Sequence, residues 1–148
     1  MNRNTKRTLF VCSIGLTLAL ASCGSDGSED LTSGQFREQA TAICTTAGQQ
    51  IGVTVAGIFD GPEPTPDELQ TGLDTIVELS TKQLDDIAAL DAPSSMDADV
   101  TSFVAEGRAA TARAEAQGLA FWGNDADPWA DMKQMAISLG LDSCGSEA

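Results

Sequence analysis

The chain has no histidine and no tyrosine, and only two tryptophans and five phenylalanines among 148 residues. Without imidazole there is no Ser-His-Asp or Cys-His constellation of the ordinary kind, and no imidazole ligand for a metal. Aromatics at 5% of the chain also weigh against an acidic-pair glycosidase, whose sugar site needs aromatic platforms. Bases are scarce: 8 Lys and Arg stand against 22 Asp and Glu, a formal charge of −14. Three of those bases, Arg3, Lys6 and Arg7, precede residue 23, where there is no acid at all. From Cys23 onward five bases face all 22 acids, a charge of −17. Such a balance argues against nucleic acid or an anionic membrane surface as a charge-driven partner, and it favours solubility. No Gly-rich phosphate loop joins a strand to a helix.

Two fragments of metal chemistry are faint. Asn124-Asp125-Ala126-Asp127 with Asp131 hints at a calcium loop but lacks the sixth-position Gly and the twelfth-position Glu. It reads as a linker and a helix cap. Met132 and Met135 have the soft sulfur of a copper ligand, but their helical spacing assigns them to a core. No catalytic residue, cofactor or metal is expected.

What is present begins with a targeting segment. Residues 1–7 are short and basic, residues 8–21 almost wholly apolar, and small residues follow. A basic start, an apolar run of about 7–15 residues and a small-residue cut site make a secretory signal. The run falls short of the roughly 20 residues of a transmembrane helix. With no adjacent Arg pair, the general secretion route is expected. The segment ends Leu20-Ala21-Ser22-Cys23, which resembles the lipobox of bacterial lipoproteins. That resemblance implies diacylglycerol, with palmitate-type chains, on the Cys23 thiol, cleavage before Cys23 and often acylation of the new amine. Two or more acyl chains anchor stably where one does not. The expected location is the outer face of the cell membrane. Cys12 follows the bulky Phe10-Val11 and leaves with the signal.

Three segments follow from this: a signal peptide over 1–22, the lipidated Cys and a flexible tether over 23–33, and a helical domain over 34–148. Gly, Ser and acids dominate the tether. A flexible linker of about ten residues spans roughly 16–19 Å.

Beyond it the periodicity predicts an all-α fold, an up-and-down bundle of about four helices. The first, 34–59, carries Phe36, Ala40, Ile43, Ala47, Ile51, Val55 and Ile58 at helical spacing, with Ser33 as its cap. The second, 66–90, opens with Thr65 as cap, Pro66 at its first position and Glu68 completing a capping box. Leu69, Leu73, Ile76, Val77, Leu84, Ile87 and Leu90 form its stripe. The third, 95–122, is capped by Ser94 or Asp97 and ends at Gly123. Its small residues Gly107, Ala110, Ala114 and Gly118 suit close helix packing. The fourth starts with Asp127 as cap and Pro128 at the first position, and stops at Gly140.

With Cys12 removed and Cys23 lipidated, Cys44 and Cys144 remain. In an exported domain two cysteines read most simply as one disulfide, here closing a loop of about 100 residues. A reactive thiol pair or a thiolate metal site is the alternative, with no C-x-x-C or His to support it. The lipobox, the polar tether, Ala40-Thr41-Ala42-Ile43-Cys44 in the first helix, a hairpin broken at Ala92-Pro93 and a closing Gly140-Leu141-Asp142-Ser143-Cys144 together resemble small secreted lipoproteins of high-GC Gram-positive bacteria. The resemblance implies a disulfide-clamped helical domain and no particular activity.

The function expected is a non-enzymatic, membrane-tethered module that binds an envelope protein or another envelope component. The alternative is a carrier of a small apolar ligand or lipid within the bundle. Phe121, Trp122, Trp129, Met132 and Met135 would line its pocket between the third and fourth helices.

Overall fold

The structure is a computed structural model describing residues 31–145. The signal segment, Cys23 and the tether up to residue 30 lie outside the described residues. Five α-helices run in order: α1 Ser33–Phe59, α2 Pro66–Ala88, α3 Asp97–Gln117, α4 Ala130–Leu139 and the short α5 Asp142–Gly145. A 3-10 turn, Gly118–Gly123, follows α3. No strand occurs among the described residues. The fold is an all-α bundle closed by one disulfide between Cys44 and Cys144, with Cα atoms 5.0 Å apart.

Each helix packs on its neighbour in sequence, and α5 returns to α1 to close the ring. The register is antiparallel. Gln83 meets Cys44 at one end of the α1–α2 pair, and the Ile58 side chain crowds Gly72 at the other. Arg108 pairs with Asp85 at 2.8 Å across α2 and α3. One continuous core holds Phe36, Ala40 and Cys44 of α1, Leu84 and Ile87 of α2, Val100, Phe103 and Val104 of α3, and Met132, Ala136 and Leu139 of α4. Leu141 and Cys144 complete it from the C-terminal segment.

Helix ends follow local chemistry, with several departures from expectation. The cap of α1 is Thr32, not Ser33. Thr32 Oγ1 accepts from the Gln35 amide, and the Gln35 side chain accepts from the Thr32 amide at 3.0 Å, a capping box that uses Gln rather than Glu. Leu31 already packs on the core, so the domain starts slightly before residue 34. At α3 neither Ser94 nor Asp97 caps. The Pro93 carbonyl accepts from both Met96 and Asp97, forming a turn that leaves Met96 at the cap position with no side-chain cap bond. That helix also ends early, at Gln117. Gly118 adopts a φ of 53°, which breaks the α-helical repeat, and the chain tightens into the 3-10 turn.

The start of α4 is likewise later than expected. Asp127 Oδ1 accepts from the Trp129 amide, making an Asx turn that holds Pro128 outside the helix. The second helix, α2, stops at Ala88, two residues short of expectation, and the remaining ends agree with the sequence reading. Thr65 and Glu68 form the capping box of α2, with Pro66 at the first turn. Gly140 ends α4 in the left-handed conformation, φ 73°. Arg37 Nε donates to the Leu139 carbonyl at 2.7 Å, placing a cation on the carbonyl end of α4.

Candidate functional site

A cleft of about 290 Å³ opens between α1 and α2 on one side and the 3-10 turn, α4 and α5 on the other. Its α1 wall is Cys44, Gly48, Ile51 and Val55; its α2 wall is Ile76, Ser80, Gln83 and Leu84. Each wall repeats at spacings of three and four, so each is one helix face. Both faces carry a small residue in an otherwise bulky row. A Cβ at Gly48 would meet nothing within 4 Å. Ser80 sits where the spacing from Ile76 to Leu84 calls for an apolar side chain. The hollow exists because the two faces withhold volume at those positions.

The opposite wall is aromatic. Phe121, Trp122 and Trp129 line it, with Met132 beside them. Phe59, Trp122, Phe121 and Trp129 form a row of edge-to-face contacts, at centroid distances of 5.5, 5.1 and 6.0 Å. Both indole N–H groups are engaged elsewhere. Trp122 Nε1 donates to the Leu69 carbonyl at 3.0 Å, and Trp129 Nε1 to Thr111 Oγ1 at 3.3 Å. The indoles therefore present rings, not donors, to the cleft, and their hydrogen bonds hold the rings in place.

Polar groups gather at the other end. The buried Cys44–Cys144 disulfide, Gln83, Ser143 and the Lys133–Asp127 ion pair, 2.8 Å long, all border it. The Gln83 amide donates to Cys44 Sγ at 3.1 Å. Asp127 thus has two roles, turning the chain into α4 and holding Lys133 at the rim.

Four of the five residues proposed from the sequence, Phe121, Trp122, Trp129 and Met132, meet at this cleft. Met135 does not. One helical turn from Met132, it packs against the core and faces a separate surface depression beside Asp99 and Leu139. The cleft is also not confined to the third and fourth helices, since α1 and α2 supply half of its lining. The clue in the sequence was Ser80, a polar residue inside the apolar stripe of α2. Other depressions of about 320–340 Å³ exist, but exposed polar side chains such as Gln50, Lys82, Asp67 and Glu68 border them. The Asn124–Asp127 segment is spent on local bonds, with Asn124 accepting from the Ala126 amide. Comparison with protein-family models, curated proteins and solved structures finds no match to the chain.

Proposed function

We propose that this chain is an extracytoplasmic lipoprotein, anchored at the membrane through Cys23, whose helical domain binds rather than catalyses. The ligand is a small apolar molecule held in the cleft. The observation that supports this reading is the cleft itself, about 290 Å³ walled by Ile51, Val55, Ile76, Leu84, Trp122 and Met132. Ligand sites are concave, mostly apolar and furnished with a few polar groups, and this one has that make-up. An engineered cavity of about 150 Å³ admits benzene, so this space suits about a dozen non-hydrogen atoms. A tethered binding protein of this kind would take up or shield an apolar compound next to the lipid surface.

Binding of an envelope protein is the second reading. Val53, at 74% exposure, together with Phe59 and Leu119, leaves apolar side chains on the surface. They are scattered singly, which many surfaces tolerate, so the cleft carries more weight.

Native mass spectrometry of the chain, expressed in a lipidating host and extracted in mild detergent, tests both parts. The expected covalent mass lacks residues 1–22, carries a diacylglyceryl group and shows the two-proton deficit of one disulfide. The expected non-covalent species is a one-to-one adduct whose mass is not that of the detergent. Gly48→Leu, which fills the hollow with a better helix former, should abolish the adduct. An apo mass throughout would set the ligand reading aside and put the protein partner first, with in-cell crosslinking to find it.

A further inference from the structure

The cleft is polarised along its length, and this bears on what it holds. Antiparallel packing sets Val55 near Ile76 at one end and Cys44 against Gln83 at the other. Between them lies Ser80, only 8% exposed yet lining the open space. Its hydroxyl has no hydrogen-bond partner among the described residues. It does not bond back to the carbonyl one turn earlier, as Thr71, Thr75 and Thr111 do. No buried side-chain oxygen or nitrogen lacks a partner among the described residues, so the Ser80 hydroxyl is open to solvent in the cleft. A ligand that fills the cleft removes that water, and the hydroxyl then costs free energy unless the ligand bonds to it. One turn on, the Gln83 amide nitrogen is directed at Cys44 Sγ, and its Oε1 has no hydrogen-bond partner among the described residues. Ser80 and Gln83 thus both border the cleft, each with a hydrogen-bonding oxygen that no protein group among the described residues occupies.

Their charge state narrows the ligand further. Lys133 is the one base in the lining, and Asp127 already occupies it at 2.8 Å. An anionic head would have to displace Asp127 and approach a chain with 22 acids and 8 bases. A cationic head would find no free carboxylate in the lining. Neither ion finds a counter-charge beside Ser80, and burying an unpaired ion is far costlier than burying a hydroxyl. A neutral group that both donates and accepts satisfies Ser80 and Gln83 together. At the far end the indole N–H groups are taken, leaving only hydrocarbon and ring surface.

Resting on the reading of the cleft as a ligand site, we propose that its occupant is an uncharged single-chain amphiphile of about a dozen non-hydrogen atoms. Its hydroxyl-type head lies against Ser80 and Gln83. Its tail lies among Ile51, Val55, Ile76 and Trp122. Ser80 is the residue that selects a hydroxyl head over a charged one.

The test uses the mature chain from residue 23, with Cys23→Ser to keep it free of lipid, secreted so that the disulfide forms. Trp122 and Trp129 are the chain's two tryptophans and both line the cleft, so their emission reports occupancy. Three probes of one chain length are titrated: 1-decanol, decanoate and decylamine. 1-Decanol should shift the emission saturably, and each charged probe should bind roughly tenfold or more weakly. Ser80→Ala should weaken 1-decanol by about three- to tenfold, the worth of one hydrogen bond, with an unchanged circular dichroism spectrum. A charged probe that binds as tightly as 1-decanol would overturn the proposal, and so would a Ser80→Ala chain that binds 1-decanol unchanged. Either result leaves the cleft as a ligand site if Gly48→Leu still blocks binding. If none of the three probes binds, both the occupant and the ligand reading fall.

Discussion

The two ends of the α1–α2 hairpin are built differently. At the disulfide end, Phe36, Ala40 and Cys44 of α1 meet Leu84 and Ile87 of α2, all essentially inaccessible, and α4 and α5 close over them. At the far end, the last turns of α1 are half covered. Ile51, Val55 and Ile58 are partly buried, while Val53 and Phe59 are exposed. Apolarity along α1 runs the other way, since the first half holds Arg37 and Glu38 while the last turns, 51–59, hold no charged residue. The whole helix is long and apolar enough to cross a membrane by length and composition. Packing makes the difference: the C-terminal segment covers only the first half. The far end has lost core density and gained a cleft. Close packing fills a hydrophobic core, and a ligand site requires an interruption of it.

The largest test of this contrast removes the disulfide. Cys44 and Cys144 are separated by 100 residues, for which the chain-entropy estimate is about 4–5 kcal/mol. Losing that much would take a large share of the roughly 5–15 kcal/mol that stabilises a domain. Cys44→Ser with Cys144→Ser, or reduction of the native chain, should lower the urea midpoint by a corresponding amount. If the disulfide end is the stable one, far-end hydrogens should exchange first in both states, and the reduced chain should lose protection mainly around α4 and α5. Equal loss along the whole hairpin would show that the two ends fold as one unit.

Much of the fold was legible in the sequence wherever the signals are local or subtractive. The α2 start needs only Thr65, Pro66 and Glu68, three residues within one turn. The disulfide follows from cysteine chemistry once Cys12 and Cys23 are assigned elsewhere. The starts of α3 and α4 were less legible, since competing turns decide them. Pro93 organises a bonded turn before Asp97, and the Asp127 side chain folds onto Trp129 instead of capping from Pro128. The cleft was half legible. Periodicity shows which face of a helix turns inward but not whether another surface reaches it. It therefore found the aromatic wall and missed Gly48, Ile51, Val55 and Ser80. Met132 and Met135 looked equivalent because both fit a stripe. A single turn of α4 sends one to the cleft and the other to a separate surface depression beside Asp99 and Leu139.

Two glycines sharpen the comparison at smaller scale. A Cβ on Gly107 would lie 2.5 Å from a Leu84 methyl and 3.0 Å from Met132 Sδ. Gly107→Ala should therefore destabilise by about 1–3 kcal/mol through overpacking, reduced by the better helix propensity of Ala. Gly52 of α1 has nothing within 4 Å of its would-be Cβ. Gly52→Ala should stabilise by about 0.5–1 kcal/mol, since only the helix preference changes. Opposite signs in thermal melts are the expected outcome. The same sign at both sites would mean that the far end is as tightly packed as the other.

The finest test uses the two capping boxes, one at each end and chemically different. Thr32 pairs with Gln35 and Thr65 with Glu68, in nearly the same geometry. Replacing either Thr by Ala should cost about 1 kcal/mol at neutral pH. Only one of these costs depends on pH. The backbone and hydroxyl bonds from Thr65 hold the Glu68 carboxyl below its usual range, whereas Gln35 does not titrate. A carboxyl whose folded value is depressed adds stability above its unfolded value and loses it as the pH falls through the folded one. The cost of Thr65→Ala should therefore shrink below about pH 4, as Glu68 takes up its proton and ceases to accept both bonds. Thr65 Oγ1 still accepts from the Glu68 amide at 3.3 Å, so part of the cost should survive. The cost of Thr32→Ala should stay level across the same range. Urea melts of the two variants and the parent at neutral and acid pH measure both. Should the two costs fall together, acid is loosening the whole bundle and the charged box has no separate role at the far end.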